Sequence, residues 1–122
     1  MFKKYHTVLQ ENENDCAIAC ISTVLKQNGI NIDISKIREI TNISKEGTTA
    51  KDIIKTLEFF GFVVKAVKVT KEAFYLHFPL PCIAHVVVDN RLEHYIVIHS
   101  ITKNKIIVSD PGYGIIKVTP IF

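Results

Sequence analysis

Apolar positions recur along this chain with two different periods, and the period changes near residue 61. In the first half Ile18, Ile21 and Leu25 fall three to four apart, which places them on one face of a helix. This pattern predicts a helix over 15–26, with Asn14 or Asp15 as its N-cap and Gly29 as its stop. A shorter helix is expected over 34–40, capped by Asp33, with Ile34, Ile37 and Ile40 turned inward. A third is expected over 50–60: Thr48 or Thr49 caps it, Gly61 ends it, and Ala50, Ile53, Ile54, Leu57 and Phe60 form its apolar stripe.

Beyond Gly61 the alternation becomes twofold and β-branched residues dominate. Strands are expected over 62–69, 82–88, 94–100, 105–110 and 115–118, with one or two helical turns over 71–77. The joints contain turn formers: Asp89, Asn90 and Arg91, then Lys103 and Asn104, then Pro111, Gly112, Tyr113 and Gly114. Consecutive strands with short turns imply an antiparallel sheet. The class is therefore α+β, with N-terminal helices packed on a C-terminal antiparallel sheet. At 122 residues the chain reads as one domain over 1–122, with no repeat, linker or low-complexity stretch.

Composition narrows the function classes. The net charge of +3 is mild and the basic residues are scattered, which gives no nucleic-acid footprint. The longest apolar runs, 59–64 and 83–88, are far shorter than the ~20 residues a membrane span needs. The first six residues lack the apolar core of a secretory signal, so the chain as given is expected to be soluble and intracellular. Three cysteines, an odd number without a regular framework, argue for free thiols. Cys16 and Cys20 could supply half a metal site, but no second pair stands at ligand spacing, and no cofactor is expected.

One constellation suggests chemistry. A cysteine nucleophile acts as the thiolate, which is favoured by a helix N-terminus and by a neighbouring imidazolium. Cys16 falls in the first turn of the first helix, whereas Cys20 and Cys82 read as small buried hydrophobes. Position alone leaves Cys16 evenly balanced between the two roles. Of five histidines, His94 opens a strand, and the next strand ends at Asp110. Folding the hairpin about 102–104 brings the two within a few residues of each other, where an acid would fix the imidazole tautomer. Asp110 also precedes Pro111 and Gly112, and by itself it reads as a turn former. Gln10 stands six residues before Cys16 in a polar loop, from which its amide could reach the helix start, although spacing alone favours a solvated loop residue.

Together these residues form a pattern. Gln10, Asp15, Cys16 and Ala19, with Gly29 thirteen positions after the cysteine, resemble the cysteine motif of the C39 peptidases. That family comprises papain-like domains of bacterial ABC exporters for bacteriocins and competence peptides. The stretch His94-Tyr95-Ile96-Val97-Ile98 resembles its histidine motif, and Val108-Ser109-Asp110-Pro111 its aspartate motif. Gly47-Thr48-Thr49 and Pro81-Cys82-Ile83-Ala84-His85 also fit, and the resemblance covers roughly residues 5–118. It implies Cys16 as nucleophile, His94 as general base and acid, Asp110 as the group that orients it, and Gln10 as an oxyanion donor. It further implies cleavage of leader peptides after a double-glycine sequence on the cytoplasmic side of the membrane. The implied partners are the leader of a small precursor peptide and the transmembrane and ATPase domains of an exporter, though the chain could also stand alone. Phe59, Phe60 and Phe62 could line an apolar leader pocket or simply belong to the core. Ala17 and Thr23 depart from the usual Gly and Met. The alternatives are a leader-docking module that does not cut, and another papain-like acyl-transfer enzyme such as an amidase or transglutaminase.

Overall fold

The computed structural model describes residues 4–12, 14–41, 48–67, 79–88 and 92–118. Three helices come first: α1 (Cys16–Gln27), α2 (Ile34–Thr41) and α3 (Ala50–Phe59). Four strands follow: β1 (Cys82–Val88), β2 (Leu92–Ile101), β3 (Ile106–Asp110) and β4 (Gly114–Val118). They form one antiparallel sheet in the order β1-β2-β3-β4, as short turns between consecutive strands require.

The helix ends follow local chemistry. The Thr49 hydroxyl accepts from the Asp52 backbone N–H while the Asp52 carboxylate accepts from that of Thr49, a reciprocal capping box. The Asp33 carboxylate accepts from the N–H of Ser35 at the start of α2. Gly29 (φ 81°) and Gly61 (φ 91°) take the left-handed conformation just past α1 and α3, where the N–H groups of Ile30 and Phe62 return to Leu25 and Leu57.

The core is shared between helices and sheet. Ile18, Ile21, Leu25, Ile37, Ile53, Leu57 and Val97 form one buried cluster, so α1 lies between the other two helices and β2. Ile98, Ile106 and Val108 form a second cluster, with Cys82, Ala84, Ile96 and Ile101 packed against it.

The structure departs from expectation at two points. Residues 62–67 carry no strand, although a strand was expected over 62–69; residues 68–69 lie outside the described residues. The alternation there is real in burial, because Phe62 and Val64 pack against the helical core while Val63 and Val67 are exposed. Alternation marks which side turns inward. It does not supply the neighbouring strand that a ladder requires. Second, Ala50 is exposed, and the inward face of α3 is Ile53, Thr56 and Leu57. The helical turns expected over 71–77, the turn at 89–91 and Gly47 lie outside the described residues.

Candidate active site

The bonded register of β2 and β3 pairs Val97 with Ser109. That sets Asp110 level with Ile96, two residues along the same face from His94, so the two side chains are diagonal neighbours. His94 Nε2 and Asp110 Oδ1 stand 3.1 Å apart, each side chain only partly exposed. With Nε2–H donating to the carboxylate, Nδ1 keeps its lone pair and is the nitrogen available to take a proton. Asp110 Oδ1 also accepts from the Gly112 N–H at 2.8 Å, and the Asp110 carbonyl accepts from the Tyr113 N–H. The aspartate therefore forms the turn and holds the imidazole at once, so the two roles read from its sequence context coexist.

Cys16 is the first residue of α1 and is half-buried. Its backbone N–H belongs to the opening turn of the helix, where N–H groups have no intrahelical acceptor. Cys20, one turn on, feels the charges of both Cys16 and Asp110. Helix α1, opened by Cys16, packs against β2 and β3, the strands that carry His94 and Asp110. Burial pushes the Cys20 thiol well up, with Cys16 and Asp110 adding to the effect, and burial pushes the Cys82 thiol up to about 11. Among the described residues Cys16 and Cys20 gather no third Cys, His, Asp or Glu in a metal-holding group.

Gln10 closes an N-terminal strap that crosses both layers. The strap is tied to α1 where the Val8 N–H donates to the Thr23 hydroxyl and the His6 N–H to Gln27 Oε1. It is tied to the sheet through Thr7 with Ser109 and through the His6 carbonyl with His99. The Gln10 backbone N–H donates to the carbonyl of Pro111, one residue past Asp110. Its side-chain amide donates one hydrogen to the Asn12 carbonyl at 3.0 Å, which leaves a second hydrogen on Nε2. Thr23, a departure from the family pattern, thus has a use: its hydroxyl holds the strap.

The other described histidines do different work. His85 stacks on Tyr95 across the β1–β2 pair with ring centroids 4.6 Å apart, and His99 is buried beside Tyr5. His77 lies outside the described residues. Phe59 is 69% exposed at the rim of a ≈ 170 Å³ cavity lined by Ile40, Thr41, Asp52, Lys55 and Thr56, whereas Phe60 and Phe62 pack on the core.

A further element of the site was not legible in the sequence. Asp15 occupies the N-cap position of α1, yet its side chain makes no capping bond. Its carboxylate is buried and meets Arg38 of α2 in a two-point contact, Nη2 to Oδ2 at 2.6 Å and Nε to Oδ1 at 3.3 Å. Hydrogen bonding to Asp15 first, with its charge and that of Glu11 behind it, raises the Arg38 pKa further, so the guanidinium is firmly charged. The only sequence signal was an acid beside the candidate nucleophile, and nothing in the spacing named its partner.

Comparison with known proteins gives the family. The model of the peptidase C39 family matches residues 4–120. The chain is 36% identical over 113 residues to the lactococcin-G-processing and transport ATP-binding protein LagD of Lactococcus lactis subsp. lactis, covering 92% of this chain and 16% of that protein. It is 31% identical over 115 residues to the transport/processing ATP-binding protein ComA of Streptococcus pneumoniae, covering 93% of this chain and again 16% of the relative. Among solved structures, the peptidase domain of Streptococcus ComA, a bifunctional ABC transporter of a quorum-sensing pathway, superposes with a TM-score of 0.86 at 31% identity, covering 95% of this chain and 87% of that one. A double glycine motif protease from an AMS/PCAT transporter, solved with its leader peptide, shares the fold at a TM-score of 0.85 and 21% identity, covering 95% of this chain and 80% of that one. With the strap, the helices and the antiparallel sheet all included in these matches, the chain belongs to the peptidase C39 family of cysteine peptidases and has their papain-like fold.

Proposed function

We propose that this domain removes the leader from bacteriocin-like or signalling precursor peptides by cutting after a double-glycine motif, as the peptidase part of an exporter. Cys16 is the nucleophile, His94 the general base and acid, Asp110 the group that orients the imidazole, and Gln10 a donor to the oxyanion. The observation that carries this reading is the His94–Asp110 contact at 3.1 Å, on strands against which α1, the helix that begins with Cys16, is packed. It is supported by the peptide-processing relatives and by the fold shared with a leader-bound protease. As part of an exporter the domain would act on the cytoplasmic side of the membrane. Among the described residues no helix is long and apolar enough to cross a membrane.

The chemistry is acyl transfer. The Cys16 thiolate adds to the carbonyl of the second small residue. The Gln10 amide and a backbone N–H at the start of α1 stabilise the oxyanion, at about 3–4 kcal/mol per donor. His94 then gives its proton to the departing amine as the C–N bond breaks, leaving the leader as a thioester. Water, deprotonated by His94, breaks the thioester and returns the free thiol. Small residues at the cut suit a narrow approach to Cys16.

The test is to incubate the protein with a double-glycine leader peptide and read the products by mass spectrometry. Cleavage after the second small residue is expected, and Cys16→Ala should abolish it while leaving the fold and leader binding intact. If Cys16→Ala cuts at the same bond, the assignment is wrong.

A further inference from the structure

We propose that Arg38 is a positioning residue for the Cys16 site: it draws the Asp15 carboxylate away from the start of α1 and neutralises it. The inference rests on Cys16 being the nucleophile. Its starting point is a contrast among the three helices. Asp33 and Thr49 bond the first N–H groups of α2 and α3. Asp15, a strong capping residue in the same position on α1, does not. Its backbone (φ −93°, ψ 3°) lies outside the extended region that capping residues usually take, whereas Thr49 (φ −86°, ψ 164°) lies within it.

The diversion has two consequences at Cys16. The N–H groups opening α1 are not taken by the neighbouring carboxylate, so they remain available to an oxyanion. The charge of Asp15, covalently next to the nucleophile and 1% exposed, is matched by a guanidinium fork instead of opposing the thiolate. Arg38 Nη2 also lies 3.4 Å from Glu11 Oε1, the residue after Gln10. One side chain of α2 therefore links the loop of the oxyanion donor to the cap of the nucleophile's helix. The charged groups in contact at this corner are Asp15 and Glu11 of the loop and Arg38 of α2; Cys20 lies one turn along α1 from Cys16, and His94 of β2 pairs with Asp110 of β3. Cys20, His94 and Asp110 are common to every variant below, so differences among them report on the Asp15–Arg38 pair.

The experiment is a double-mutant cycle on the intact domain, read by the pH profile of iodoacetamide alkylation at Cys16 and by kcat and KM on a double-glycine leader peptide. Arg38→Gln is expected to move the alkylation midpoint up by about one pH unit, so that labelling below the midpoint slows about tenfold. It should lower kcat about tenfold or more with KM changing less. In the Asp15→Ala background the same change should move the midpoint by less than about 0.3 unit, because an exposed Arg38 without its carboxylate is screened. An Arg38→Gln midpoint equal to wild type overturns the proposal, as does an equal shift in both backgrounds. If Arg38→Gln alone does not fold, Arg38→Lys decides: it keeps the charge but loses the two-point contact, so a midpoint above wild type supports the proposal and one equal to wild type overturns it. Alkylation needs no leader. A cycle that behaves as expected in a protein that leaves the leader uncut refutes the proposed function and keeps the link between Arg38 and the thiol.

Discussion

Cys20 and Cys82 are held as thiols by their surroundings, and this separates them chemically from Cys16. Iodoacetamide near pH 8 is expected to modify Cys16 first. Cys82 should become reactive only as the pH approaches about 11, as a labelling series resolved by peptide mass spectrometry would show. The same displacement has a sign for stability. The folded state holds the Cys82 proton more tightly than the unfolded chain, so this contribution is complete below pH 9 and is lost as pH rises through about 11. Thermal melts against pH should fall over that window, and less steeply for Cys82→Ala. Asp110 supplies another residue-scale test. Asp110→Asn keeps an oxygen for both the His94 and Gly112 N–H groups, and should slow leader cleavage less than Asp110→Ala, which removes both acceptors. Much of the candidate site's geometry was legible residue by residue, because Cys16 and Asp110 fall at element ends that periodicity locates, whereas His94, expected to open its strand, lies two residues inside β2. Gln10 was legible only as a position, since its placement depends on a bond to Pro111, about a hundred residues away.

At the scale of elements, the helices were read almost to the residue because their ends are set by local chemistry. Thr49→Ala should cost about 1 kcal/mol by chemical denaturation, because it removes one half of the capping box. The expected strand is absent over the described residues 62–67 for the complementary reason: strand formation needs a partner, and no local pattern supplies one. Asp15 shows the limit from the other side. Its sequence position favours capping, yet a charge-assisted, two-point bond to Arg38 outcompetes a neutral backbone N–H. Local preference yielded where a tertiary contact was stronger.

At the scale of the molecule, the candidate site straddles the two halves. Cys16 comes from the helices, His94 and Asp110 from the sheet, and Leu25 and Val97 lie in the core cluster that joins them. Leu25→Ala should therefore lower stability by about 2–5 kcal/mol and loosen the site and the fold together. Circular dichroism and protection of the buried Cys20 from alkylation should then melt at the same temperature. Two separate transitions would show that the halves unfold independently.

The strap has a consequence for how the protein comes into being. Residues near the start of the chain are held by His99, Ser109 and Pro111, near its far end. During synthesis the helix bearing Cys16 leaves the ribosome long before His94 and Asp110, and the strap's bonds to Ser109 and Pro111 cannot form until the third strand has emerged. The candidate site is therefore complete only after the third strand has joined the strap, late in the synthesis of this domain.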